Sequence, residues 1–194
     1  MYEDVLNFWF KELTPQQWWA KDDELDAEIK QRFAALHAKA ARCELFDWRI
    51  AAKGRLAEII ILDQFSRNIY RDTPKAFAHD SLALALAQEA LSVAADKALS
   101  PDECSFLYLP FMHSESAEIH QVAMSLYSAP GLENNLDFEI QHKNIIDRFG
   151  RYPHRNEILG RESTVFTAAG VEFLTTMLFN TIQRMVSRLS GPNF

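Results

Sequence analysis

Apolar residues recur three and four positions apart over most of the chain, the spacing that lines one face of an α-helix. Leu25, Ile29, Phe33 and Leu36 form one such stripe behind Asp22-Asp23 and predict a helix to about Cys43. A shorter helix, from about Glu3 to Lys11, precedes it with Val5, Leu6, Trp9 and Phe10 on its apolar side. Between about Lys53 and Tyr70, Ile59-Ile60-Ile61-Leu62, Phe65 and Ile69 surround the axis, which predicts a helix buried on most sides. Thr14-Pro15, Thr73-Pro74 and Ser100-Pro101 each read as an N-cap followed by proline at the first helical position. Helix is expected over about Ala76 to Ala95, with a break at His79-Asp80 where Asp80 could cap. Pro110 should kink or end the helix that starts at Pro101, because it lacks an amide proton and clashes one turn back.

Helix then continues to about Ser128, Pro130-Gly131 is a turn, and Leu132 to Phe149 is helical with Gly150 as its C-cap. Arg151 to Arg161 reads as a loop with one short turn, and Ser163 or Thr164 should cap a last helix to about Leu189. No stretch of strand length alternates cleanly with period two. The pattern predicts an all-α protein of seven to nine helices.

Composition narrows this picture. The 194 residues fit one domain, and at 48% hydrophobic they can bury a large core. A net charge of −7 argues against a general nucleic-acid binder, which needs a broad basic surface. No basic stretch precedes an apolar run at Met1-Tyr2-Glu3-Asp4, so no secretory signal is expected and a cytoplasmic location is the default. Cys43 and Cys104 lack CxxC spacing and read as buried, reduced thiols. Val165 to Ile182 is apolar, but Glu172 interrupts it and Arg184 and Arg188 follow. A helix packed on the domain or on a partner is expected there, not a membrane span.

Three polar islands interrupt the apolar pattern. In the first, Asp63 and Arg67 stand four apart in the order that suits a helical ion pair, on a face shared with Leu56, Ile59 and Ile60. They are expected to form a structural network; the alternative is that Arg67 or Asn68 points into a pocket, and Asn68 is the candidate ligand residue. The second runs from Phe111 to Ser116 with His120 beyond, and offers His113 and Glu115. The third, Arg148 to Arg161, carries a net +3 inside a chain of −7. Arginine forks suit carboxylates and phosphates, so Arg148, Arg151 and Arg155 are candidate anion ligands. The competing expectation is that these arginines cap helix ends and pair with acidic neighbours. His142 lies on the stripe Phe138, His142, Ile145, Phe149, and His142 or His154 is the candidate proton carrier if the site performs chemistry.

The chain also resembles a bacterial family catalogued as domain of unknown function 924. The resemblance rests on Ile60 to Ala87, with Leu62-Asp63-Gln64-Phe65-Ser66-Arg67-Asn68-Ile69-Tyr70-Arg71 at its heart. It rests also on Leu107-Tyr108-Leu109-Pro110-Phe111-Met112-His113-Ser114-Glu115, on His142 through Arg161, and on Phe8-Trp9-Phe10 and Trp18-Trp19. It covers about residues 1–164 as one helical domain and implies a tetratricopeptide-like right-handed α-superhelix. It implies no activity. Residues 165–194 depart from the family pattern as a longer apolar helix. There Val171, Leu174, Leu178, Ile182, Met185 and Leu189 form a stripe suited either to the domain itself or to a homodimer.

Two functional readings follow, with a third behind them. The first is a pocket for a small anion, a carboxylate or phosphate, formed by Asn68, His113, Glu115, His142, Arg148, His154 and Arg155 with Arg151 at its mouth. The second is a protein or peptide interaction module of tetratricopeptide-like type, a reading by fold analogy. The third is a metal-dependent hydrolase using His113, Glu115, His142 and His154. No HExxH or related spacing supports it, so neither metal nor cofactor is expected.

Overall fold

The computed structural model describes residues 1–163, and these are helices joined by short turns, with no strand among them. The expected last helix, its apolar stripe and a dimer formed through it lie outside the described residues. We number the helices α1 (Tyr2–Asn7), α2 (Asp23–Ala41), α3 (Ala52–Ile60), α4 (Ser66–Ile69), α5 (Asp80–Ser92), α6 (Pro101–Met112), α7 (Ala117–Tyr127) and α8 (Glu133–Phe149). None is long and apolar enough to cross a membrane.

The most apolar segment is the centre of the molecule. Leu56, Ala57, Ile59, Ile60, Ile61, Leu62 and Phe65 are all fully buried. From Ile61 to Phe65 the helix widens to a π-helical turn that joins α3 to α4. Helices α1, α5 and α6 pack against α3, while α2 lies along α4 and the π turn. Helices α7 and α8 add a hairpin on the far side of α6. Aromatic side chains fill the space between α1 and the centre: Trp9 meets Phe65 and Phe106 edge to face at 5.6 and 5.5 Å.

Cap chemistry decides most of the boundaries. The Asp22 side chain accepts from the amides of Glu24 and Leu25, and Ser100 with Glu103 forms a reciprocal capping box. Ser116 caps α7, and Gly150 closes α8 at φ +67°, a conformation that suits glycine.

Several expectations are corrected. Thr14-Pro15 opens only a run of turns, because Gln17 takes both the Thr14 amide and its hydroxyl. Thr73-Pro74 opens a single 3₁₀ turn, Pro74–Phe77, and not the start of a continuous helix. The Asp80 side chain makes no cap, since two arginines claim it. Pro110 does not stop α6, which runs on to Met112. Cys43 is exposed, at a left-handed φ of 58°, where the chain leaves α2; Cys104 is buried as expected.

Gly54 marks the tightest approach in the fold. A Cβ placed there would stand 2.1 Å from the Trp48 carbonyl oxygen, so α3 can lie on the Trp48 turn only without a side chain. Gly54→Ala should therefore destabilise the protein by roughly 1–3 kcal/mol despite alanine's better helix propensity. Thermal melting would read this as a drop of about 5 °C, and an unchanged or raised midpoint would contradict the close packing.

Candidate functional site

The π turn carries a carboxylate into the centre of the protein. Asp63 is almost fully buried among the isoleucines of α3, so its charge must be met inside the fold. Three side chains meet it. Arg67 Nη1 stands 3.1 Å from its Oδ1, His113 Nδ1 is at 2.7 Å from the same oxygen, and Gln64 donates to Oδ2. Burial alone would raise the Asp63 pKa, but Arg67, His113 and Gln64 overcome it and hold the carboxyl well below the usual range. Arg67 also donates to the Asp63 carbonyl at 2.6 Å and forks onto Asp80 with two contacts of 3.1 Å.

Asp80 in turn accepts from Arg155 Nη1 at 3.2 Å. A chain of polar groups thus runs from His113 through Asp63, Arg67 and Asp80 to Arg155, joining four separate parts of the fold. The Arg155 guanidinium lies between two rings, 4.7 Å from the Phe77 centroid and 4.6 Å from that of Tyr152. Its side chain is 8% exposed, and its Nε has no partner. Burial, and then the charge of Arg67, lower its pKa from the ordinary value.

Tyr152 is the post on which this segment stands. Its hydroxyl donates to the Met112 carbonyl and lies 3.2 Å from His120 Nε2. His120 and Glu139 are both fully buried and meet at 2.6 Å, which pins α7 to α8. The step into Pro153 is extended, with Tyr152 at φ −87° and ψ 104°, as a residue before proline should be. Glu115 accepts from the Tyr152 amide and from Arg161, at 2.8 Å and at 2.7–2.9 Å, and so ties the other end of the segment down.

Between these elements lies a groove of two lobes, about 320 and 270 Å³, which share Phe77, His113 and Arg155 as walls. The first lobe adds Asp80, Glu115 and Arg161; the second adds Arg67, Arg71, His142 and His154. Burial drops the His142 pKa to about 3, and its Nδ1 donates to the Phe138 carbonyl at 2.8 Å. His154 keeps an exposed surface, but the protein packed round its ring and then Arg155 lower its pKa to about 4. His113 is lowered too, by burial and by Arg67 against the pull of Asp63. Among the described residues no three His, Cys, Asp or Glu side chains are placed to hold a metal ion.

The motifs that carry these side chains belong to a recognisable group. Residues 5–177 match the family described as bacterial protein of unknown function, DUF924. The chain belongs to this family. The protein is also similar to a solved structure, that of the protein of unknown function ATU0120 from Agrobacterium tumefaciens. The two are 40% identical with a TM-score of 0.83, over 88% of this chain and 96% of that one. Among curated proteins no match is found.

Five of the eight residues expected to form the pocket, His113, Glu115, His142, His154 and Arg155, line the groove of this DUF924 protein. Three do not. Asn68 donates to Asp26 on α2 at 2.8 Å, alongside Arg71, and serves the packing of α4 on α2. Arg148 is exposed on the last turn of α8 with its guanidinium over Phe149. Arg151 is exposed and lies on neither lobe. Sequence reasoning also missed Asp80, Phe77, Tyr152 and Arg161. Asp80 carried a usable signal as an acid at a helix break, and Arg161 as the last arginine of the basic island.

Two predictions follow from this geometry. Asp63→Asn leaves Arg67 facing a neutral amide in a buried site and should cost about 3 kcal/mol, as should Arg67→Met. Urea titration of both variants tests it, with unchanged midpoints counting against the network. The second concerns acid. His37, buried and 2.8 Å from Ser66 Oγ, has its pKa lowered to about 4 by burial and then by His79. With His142 it stays neutral in the native state while the unfolded chain gains protons below about pH 6.5. Their stabilisation is complete above that pH and is lost as pH falls towards 4 and 3; Asp63, also depressed, adds its loss only at lower pH. The unfolding free energy should fall by roughly 1.4 kcal/mol per pH unit for each of the two histidines, starting below about pH 6.5. A profile flat from about pH 7 to 5 would mean that these rings are solvated.

Proposed function

We propose that the two-lobed groove binds a small molecule through a carboxylate or phosphate group, with Arg155 as the principal anchor. The observation that carries the reading is Arg155 itself. It is nearly buried, its guanidinium carbon lies 4.7 and 4.6 Å from two aromatic ring centroids, and among the described residues only its Nη1 finds an acceptor. That acceptor, Asp80, is already forked by Arg67. A guanidinium placed with such precision and left with unused donors is what recognition of a planar anion requires.

The net basic charge of the segment is not the support, since Arg155 shares Asp80 and Arg161 pairs with Glu115. What supports binding is an under-matched arginine inside a concave site. Neutral His142 and His154 line the same space as candidate proton carriers, so the reading extends to an enzyme without requiring one. The second reading, a peptide-binding surface on a tetratricopeptide-like superhelix, has less behind it. Polar groups gather at one groove and are not spread along an extended face.

Thermal melting with inorganic phosphate, acetate and succinate tests the proposal. An anion at about 100 times its dissociation constant should add about 2.7 kcal/mol of stability. Arg155→Met should abolish that gain, and Arg148→Ala, outside the groove, should leave it unchanged. No gain with any anion, or an equal gain in Arg155→Met, removes the proposal.

A further inference from the structure

Two imidazoles in the groove have their protons assigned by their partners. A carbonyl oxygen only accepts, so His142 must carry its hydrogen on Nδ1 to bond the Phe138 carbonyl. Asp63 is held ionised by its neighbours, so it too only accepts, and His113 must carry a hydrogen on Nδ1. Both rings are kept neutral near pH 7 by burial. In a neutral imidazole the other nitrogen then holds a bare lone pair. Nε2 of His113 and Nε2 of His142 are therefore both acceptors, on the ring edges opposite their protein contacts, and both rings line the second lobe. No protein donor reaches either atom among the described residues.

These lone pairs bear on what can occupy the lobe. A ligand made only of acceptor oxygens, such as a simple dicarboxylate, would satisfy Arg155 but set its other oxygens against bare nitrogens. Buried acceptors left unmatched cost binding free energy. The ligand must bring hydrogen-bond donors beside its anionic group. An ammonium donor is disfavoured, because Arg67, Arg71 and Arg155 border the same lobe against one carboxylate, Asp72, which Lys21 already meets at 3.1 Å. A neutral hydroxyl meets the nitrogens without that repulsion.

We infer that the groove selects a hydroxylated small anion, a hydroxycarboxylate or a polyol phosphate, whose hydroxyl groups donate to His113 Nε2 and His142 Nε2 while its acid group engages Arg155. This rests on the proposed anion site and narrows its ligand class. His142 is the residue in which the two ideas separate. It contributes no charge to the anion and, among the described residues, meets the Phe138 carbonyl and, edge to face at 5.8 Å, the Tyr152 ring, whereas His113 is tied to Asp63.

The test uses matched pairs on the full chain by isothermal titration calorimetry: tartrate against succinate, and glycerol phosphate against propyl phosphate. In at least one pair the hydroxylated member should bind about tenfold or more tightly, since sites built around a ligand hydroxyl reject analogues that lack it. The pair that shows the preference tells carboxylate from phosphate. His142→Phe keeps a ring of similar size and removes the acceptor. It should collapse the preference, chiefly through a loss of affinity for the hydroxylated member. If that variant fails to fold, the pairs measured on the native protein decide alone. Equal affinities within both pairs overturn the hydroxyl inference while the anion site stands. Failure of all four compounds to bind overturns the site itself and the inference with it.

Discussion

A single buried carboxylate organises this protein. Asp63 sits on the helix that forms the centre of the core, where a charge is tolerated only if every oxygen is met. Meeting it draws Arg67 from one turn on and His113 from the end of α6. Arg67, now facing inward, needs a second acid and recruits Asp80 at the start of α5. Asp80 brings in Arg155 from the segment after α8. Each step answers a desolvation cost created by the previous one. The result is that α4, α5, α6 and the segment after α8 are held in one register around a groove.

The hairpin of α7 and α8 is held by a second, separate polar centre. His120 and Glu139 are shut off from solvent, and burial raises the Glu139 pKa above its ordinary value. His120 Nε2 faces the Ser114 carbonyl at 2.9 Å, so its Nδ1 and the Glu139 carboxyl share whatever proton remains. Tyr152 touches this pair with its hydroxyl and Arg155 with its ring face. That one tyrosine therefore links the hairpin's polar centre to the chain from Asp63, although the two are otherwise distinct.

The sequence was most legible where one element decides the outcome. Caps at Asp22, Ser100 and Gly150 are local chemistry, and the apolar helix around Ile60 needed only its own pattern to be placed at the centre. Asp63 and Arg67 stood out because a helical ion pair inside an apolar run is visible at a spacing of four. The partners across the fold were not visible. Nothing near Asn68 points to Asp26, and nothing near Arg155 points to Asp80, because such choices are made by tertiary packing. The two widened π turns, at Phe8–Glu12 and Ile61–Phe65, escaped for a related reason: helical periodicity does not register one extra residue in a turn. Basic composition misled in a specific way. It weighted Arg148 and Arg151 equally with Arg155, whereas depth of burial separates them.

The contacts that close the groove span long stretches of chain. Arg155 reaches Asp80 across 75 positions, and Arg161 reaches Glu115 across 46. The central packing of α1 to α6 draws on segments already complete well before these arginines are made. On a ribosome, where the chain emerges in order, the interior can therefore be assembled while Asp80 still lacks Arg155, its last partner. The groove comes into being only when residues 151–161 join that scaffold. The walls of the groove are thus completed late in synthesis, and a product truncated just before Tyr152 would lack Arg155 and Arg161 from them.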